Sequence, residues 1–279
     1  MRRSIIRVSG LLVLGLLVIS TGWAQKNNKN KNQGNSSLSQ EKPGEQPAGG
    51  QAVSKDELKA YKEFYDARNG DPMKVIQLGE AFIAKYPMSV YAGAVYSTLT
   101  SAYLSSNQPD KMIEAGQKAL EINPDNVDVL PVLAWAIPRR VTGQTPDGPQ
   151  QLAKAQDYAK HGIQLLNTMP KPAEMDDEAF NKAKNEKLAM CHDGLGVAEV
   201  KTGKYDDAIA ELNQSVQLSS TPDPVDYYLL GVANQVTSHF TDAEDSFTKC
   251  STNGPLQAQC KAGLDETKKK SQNSLEAPK

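Results

Sequence analysis

The feature that most constrains this chain is a repeat. Residues 195–212 read LGVAEVKTGKYDDAIAEL, and residues 230–247 read LGVANQVTSHFTDAEDSF, 35 residues further on. Leu195 matches Leu230, Gly196 matches Gly231, Tyr205 matches Phe240, Ala208 matches Ala243, and Leu212 matches Phe247. Most residues between these positions differ. Fixed small and large apolar positions among variable polar ones describe a packing unit whose other surfaces face water. A unit this short cannot bury its apolar face alone, so units must stack on one another.

From residue 54 onward no sustained alternating pattern of the kind that marks strands appears. Apolar residues recur at helical spacing, and the breaks fall at Gly, Asn and Pro. Each unit therefore reads as two helices joined by a tight turn. In the fourth unit the first helix is expected to end near Lys201 with TGKYDD as the turn, where Gly203 tolerates a positive φ. The second helix is expected from about Asp206 to Leu218. Gly196, Gly231, Ala208 and Ala243 would let the two helices approach closely, with Leu195, Leu230, Leu212 and Phe247 filling the space beside them.

These units resemble the tetratricopeptide repeat, which carries W-x2-L-G-x2-Y, then A-x3-F, then Pro, over about 34 residues. The second unit supplies Tyr96, Leu99 and Tyr103, with Thr100 in place of the Gly, then Met112, Gly116, Ala119 and Pro124. The fifth supplies Tyr227, Leu230, Gly231, Ala243, Phe247 and Pro255. The fourth supplies His192, Leu195, Gly196, Ala208 and Leu212, with Ser220 where Pro is usual. The first fits only in its second half, ending FIAKYP at Pro87. The third departs most: Leu130, Leu133, Ala134 and Ile137 suit a first helix, and Ala155, Ala159 and Gly162 a second. Between them PRRVTGQTPDGPQQ, residues 138–151, is about eight residues longer than the usual turn and reads as an inserted surface loop. Residues 171–184 either extend the fourth unit's first helix or link to it.

The resemblance covers residues 57–255. It implies an all-α fold, an α-solenoid of about five tetratricopeptide-like helix pairs with a C-terminal capping helix, spanning residues 54–270. The cap is expected from Leu256 to about Lys270, its final Lys run complementing the helix dipole. Residues 271–279 are expected to fray.

The chain opens MRRSIIRVSGLLVLGLLVISTGWAQ: a basic start, an apolar run and a small-x-small site, the order of a signal peptide over residues 1–24. The apolar run is far short of the ~20 residues that span a bilayer. Cleavage after Ala24 would remove three Arg and no acid, taking the net charge from -2 to -5. That acidic balance argues against a nucleic-acid binder, which needs a basic surface. Residues 25–53 are poor in apolar residues and free of aromatics, and read as a disordered linker. The expected location is periplasmic or secreted, with no stable membrane insertion after cleavage.

Catalytic patterns are weak. MCHDG at 190–194 sets Cys191, His192 and Asp193 side by side, but neighbours on a helix point about 100° apart and cannot form a nucleophile–base–orienter line. His161, His192 and His239 lack ligand-like spacing for a metal. GLG at 194–196 follows no strand and is no phosphate cradle. The chain reads as a non-enzyme with no cofactor and no metal.

The expected function is an exported interaction scaffold, since members of the family typically bind protein segments in the concave groove lined by the first helices. Projection places Ser97, Ser101, Trp135, Arg139, Asp193, Lys201, Tyr228 and Gln235 toward that groove. Trp135 either anchors the partner there or packs under the 138–151 insertion. The Lys/Asn clamp by which some family members hold a C-terminal carboxylate is absent, with Tyr228 and Val232 at positions where clamp residues would be expected, so an internal segment is the expected ligand. An alternative is envelope assembly, because residues 81–96 look like repeats of outer-membrane assembly lipoproteins, though no lipid-bearing Cys follows the signal. An enzyme or small-ligand binder using the 138–151 insertion ranks last. Cys250 and Cys260 lie about equally far from the turn at 252–255, which brings them within the bridging limit of ~7 Å and suggests a disulfide. The alternative is two small residues packed between helices. Cys191 is the odd one and reads as a buried thiol.

Overall fold

The computed structural model describes residues 53–252 and 254–276. The expected signal peptide and almost all of the linker lie outside the described residues. Helices follow one another as α1 Lys55–Ala67, α2 Pro72–Lys85, α3 Ala92–Ser105, α4 Pro109–Ile122, α5 Leu130–Arg140, α6 Gly148–Thr168, α7 Asp177–Thr202, α8 Tyr205–Leu218, α9 Pro224–Val236, α10 Phe240–Cys250 and α11 Gln257–Glu276. They form five antiparallel pairs, α1–α2 to α9–α10, and α11 closes the end of the stack. The fold is an α-solenoid, with no strand among the described residues.

Local chemistry sets the helix starts. Asp71 and Asp223 cap α2 and α9 through their side chains, each followed by a Pro at the first helical position, where no N–H is needed. Ser54 accepts from the Glu57 N–H at α1, and Asp176 from the Ala179 N–H at α7. The turns inside three pairs are one motif. Asn107, Gly203 and Ser238 occupy matching positions, all left-handed, with φ of 53°, 76° and 67°. In each the next N–H reaches back to the last helical turn: Gln108 to the Tyr103 carbonyl at 2.9 Å, Lys204 to Glu199 at 2.9 Å, His239 to Asn234 at 2.8 Å. Only one of the three is a glycine.

The core runs along the stack. Tyr61 and Phe64 of α1 are buried, and Tyr61 stacks on Tyr91 with ring centroids 3.9 Å apart. The first unit is thus a full pair, although only its second half follows the repeat pattern. Leu130, Leu133 and Ile137 carry the core into the third unit, and Leu212, Leu230 and Phe247 fill the last two. A Cβ on Gly196 would come within 2.5 Å of Leu212, and one on Gly231 within 2.6 Å of Phe247, so each glycine is a point of close helix approach.

Two expectations are corrected and one left open is decided. The 138–151 insertion is only partly loop. Pro138 lies in the last turn of α5, which loses one N–H bond and still runs to Arg140, and Gly148-Pro149 begins α6 where no N–H is needed, leaving residues 141–147 between helices. The stretch 171–184 divides: α7 begins at Asp177 and extends the fourth unit's first helix to 26 residues. Finally, α11 continues to Glu276, so residues 271–276 are helical and the Lys run lies inside the helix rather than at its end. Cys250 and Cys260 are joined, with Cα atoms 5.9 Å apart, tying α10 to the cap.

Candidate functional site

Pro138 has no N–H to offer the Ala134 carbonyl one turn earlier. Beside that carbonyl passes Gly194 of α7; a Cβ there would lie 2.3 Å from the Ala134 oxygen. Nothing larger than hydrogen fits, so α5 and α7 meet backbone to backbone. This contact sets the register of the residues on either side of it, Trp135 and Arg139 on α5 and Asp193 on α7.

Arg139 grips Asp193 with both arms, Nη1 donating to Oδ1 at 2.9 Å and Nη2 to Oδ2 at 2.6 Å. Nη1 also donates to the Trp135 carbonyl at 3.2 Å, and Nη2 to Asp223 Oδ2 at 3.4 Å. The guanidinium carbon lies 4.7 Å from the centre of the Trp135 ring. Asp226 comes up from α9. Its Oδ2 accepts from the Ser215 hydroxyl at 2.6 Å, while Oδ1 has no hydrogen-bond donor and lies 3.8 Å from Arg139 Nη2. The side chains are 16% exposed for Arg139, 5% for Asp193 and 2% for Asp226.

One guanidinium therefore faces three carboxylates in a nearly dry setting. Burial works against the charge on Arg139, but Asp193 and Asp223 beside it outweigh that and hold its pKa above the ordinary value. Burial pushes Asp193 up against the pull of Arg139. It pushes Asp226 up furthest, helped by the neighbouring Asp193 charge, so Asp226 is the group that keeps its proton most readily.

Above this network opens a cleft of about 50 Å³. Its apolar wall is Leu104 of α3, Trp135 of α5, and Ala189 and Met190 of α7; Asp193, Asp223 and Asp226 form its polar floor. Four successive units contribute. Glu186 at the rim accepts from the Ser220 N–H at 2.8 Å and from the Ser219 hydroxyl at 3.2 Å, bracing the turn between α8 and α9. None of residues 141–147 lines the cleft. Trp135 thus faces the cleft and does not pack beneath the inserted loop.

Of the eight groove residues expected from sequence, Trp135, Arg139 and Asp193 come together here. The others do not. Ser97 is buried, and Tyr228 is buried edge-on to Phe247, with ring centroids 6.0 Å apart. Gln235 donates to Thr267 of the cap at 2.8 Å and accepts from Lys270 at 3.0 Å. These are corrections: Ser97 is buried within α3, while on α9 the cap α11 covers the face that earlier units leave open. Lys201 turns to the Val141 carbonyl of the loop, and half-buried Ser101 stands apart from the cleft on α3. Asp226, Asp223 and Ser215 escaped sequence reasoning. An acid in the first turn of a helix reads as a dipole partner, and only the partnership with Arg139 reveals more.

No group of three or more His, Cys, Asp and Glu side chains with metal-holding geometry occurs among the described residues. No described helix is long and apolar enough to cross a membrane. His192 pairs with Glu211 at 2.6 Å, and Cys191 is buried, its thiol pushed up by burial.

Among known proteins, the tetratricopeptide repeat family model matches residues 94–126, which hold all of α3 but its first two residues, and α4. No curated relative matches the chain. Two solved structures resemble it at low identity. One is a thermophilic TPR protein of Thermus thermophilus, 16% identical, covering 76% of this chain and 97% of its own, with a TM-score of 0.43. The other is PilW, described as a widely conserved type IV pilus biogenesis factor, 14% identical, covering 81% of this chain and 97% of its own, with a TM-score of 0.48. The chain carries a tetratricopeptide repeat at residues 94–126, set within an α-solenoid of stacked helix pairs.

Proposed function

We propose that the protein is an exported interaction scaffold that takes up an extended protein segment along its first helices, with the Trp135 cleft as the anchoring point. The observation that carries this reading is Trp135 itself. It is a partly covered indole at the mouth of a cleft built by four units, oriented by the guanidinium on its ring. Buried aromatic anchors supply a disproportionate share of binding energy, and this one is held in place before any partner arrives.

Export is supported by the basic, apolar and small-residue order of residues 1–24 and by a disulfide that suits an oxidising compartment. N-terminal sequencing of the protein recovered outside the cytoplasm should begin at Gln25; a chain still carrying residues 11–19 would refute cleavage. Crosslinking in cell envelopes, with the full chain and its Trp135→Ala variant compared, tests the scaffold reading. A partner captured by the first and lost from the second supports it. Equal capture moves the site away from the cleft.

A further inference from the structure

None of the four Nη hydrogens of Arg139 is left for Asp226, whose Oδ1 lies 3.8 Å from Nη2. Its Nη1 hydrogens go to the Trp135 carbonyl and Asp193, and its Nη2 hydrogens to Asp193 and Asp223. Asp193 spends both oxygens on Arg139, while Asp223 Oδ1 caps α9 through the Val225 N–H at 3.0 Å. Ser215 occupies Asp226 Oδ2. One buried carboxylate oxygen, Asp226 Oδ1, is left without a donor, at the floor of a cleft whose wall is apolar and aromatic. A buried polar atom left unpaired is costly, and a formal charge of one cation against three carboxylates leaves the site short of positive charge.

We infer that this cleft receives a lysine side chain from the partner segment, its ammonium seated on Asp226 Oδ1 and its methylenes laid along Leu104, Trp135 and Met190. The inference rests on the reading that the cleft takes up a protein segment, and adds the chemistry of the residue recognised. The space selects the head group. A cleft of about 50 Å³ exceeds the ~10–15 Å³ one water needs, which suits a compact ammonium. A guanidinium is a planar fork that seeks two oxygens side by side, and only one is spare. A calcium ion would need six to eight oxygens, and the neighbouring ones are already committed. The methylene stem matches the wall, since lysine buries its stem on apolar surface while its head keeps polar company.

Without a partner, burial and the Asp193 charge favour the protonated form of Asp226. An arriving ammonium then takes the place of that proton, and the proton leaves to solvent. The charged groups facing Asp226 are Arg139 from α5, Asp193 from α7 and Asp223 from α9 itself, with Glu186 at the rim. Arg139 stays charged, so the proton at issue belongs to the acids.

Selection of random dodecapeptides displayed on phage, against the immobilised full chain and its Asp226→Asn variant, tests the inference. The expected result is enrichment of peptides with a lysine at one fixed position, lost with the variant. Replacing that lysine by norleucine in the best peptide should weaken binding about tenfold or more, a readout that needs no altered protein. Enriched peptides with no fixed lysine, or with arginine preferred there, would overturn the lysine while leaving the cleft as a segment-binding site. Enrichment no different from that on Trp135→Ala would remove both.

Discussion

Replacing Gly194 by alanine should destabilise the protein, against the usual sense of that change. In a helix interior Ala is favoured over Gly by ~1 kcal/mol, so α7 would gain if nothing stood near. Something does: the new Cβ would lie 2.3 Å from the Ala134 oxygen, 2.6 Å from its carbon and 3.1 Å from the Trp135 nitrogen. All three atoms are backbone, so no rotamer change can relieve the clash. The helices must separate, and overpacking of this kind costs up to ~3 kcal/mol. The net expectation is a loss of about 2 kcal/mol, or a Tm lower by ~4–8 °C for a folded region of this size. Gly143 is the control, because a Cβ there meets nothing within 4 Å and Gly143→Ala should stay within about 0.5 kcal/mol of the parent. Urea unfolding followed by circular dichroism measures both. Because α5 and α7 carry Arg139 and Asp193, Gly194→Ala should also weaken any ligand of the cleft. A Gly194→Ala protein as stable as the parent would show that the two helices do not meet as described.

Other outcomes follow from single residues. Ser238 holds a left-handed φ of 67° at the position Gly203 fills in the preceding unit; Ser238→Gly should raise stability by up to ~1 kcal/mol, read from the urea midpoint. Burial, with Glu211 and Asp207 beside it, pushes Glu199 up to about 7 from an ordinary value of 4.5. A carboxyl raised in the folded state stabilises below its unfolded pKa and loses that contribution as pH rises through the folded one. Glu199→Gln should therefore raise Tm relative to the parent more at pH ~8 than at pH ~5, with Lys204 and Lys160 the cations that temper the effect; an equal difference at both would refute it. Alkylation without reductant followed by intact-mass measurement should label at most Cys191, whereas three labelled thiols would rule out the bridge. Replacing Cys250 and Cys260 by Ser should cost about 3 kcal/mol in the chain-entropy view, with faster hydrogen exchange appearing first in α11.

Much of the fold was legible because the signals are local and periodic. Leu195, Gly196, Ala208 and Leu212 pack within one helix pair, so their spacing repeats in the sequence and announces the pair. The left-handed turn was legible only at Gly203, because Asn107 and Ser238 adopt the same conformation without the residue that advertises it. The 138–151 insertion read as loop because Pro and Gly look like breakers. In place, Pro149 falls in a first helical turn, where no N–H is needed, and Pro138 in a last one, where it forgoes a single bond to Ala134 and the helix still runs to Arg140.

The candidate site divides along the same line. Helical projection by itself identified Trp135, Arg139 and Asp193, since each lies on a first helix at a position the repeat does not use for packing. It misplaced Tyr228 and Gln235, which hold equivalent positions on α9, because only there does the cap lie across that face. It overlooked Asp226, whose neighbours in sequence suggest a helix start and nothing else. The bond from Arg139 to Asp193 joins residues 54 apart, and that to Asp223 residues 84 apart. The sequence on its own determined that helix pairs form and stack, because each pair's apolar pattern is written within some 34 residues. Which charges meet depends on how far each unit turns against the next, here where Gly194 lets α7 rest on the backbone of α5. That rotation is a sum of contacts between units, so only the tertiary structure decided where the buried carboxylates gather and which oxygen is left unpaired.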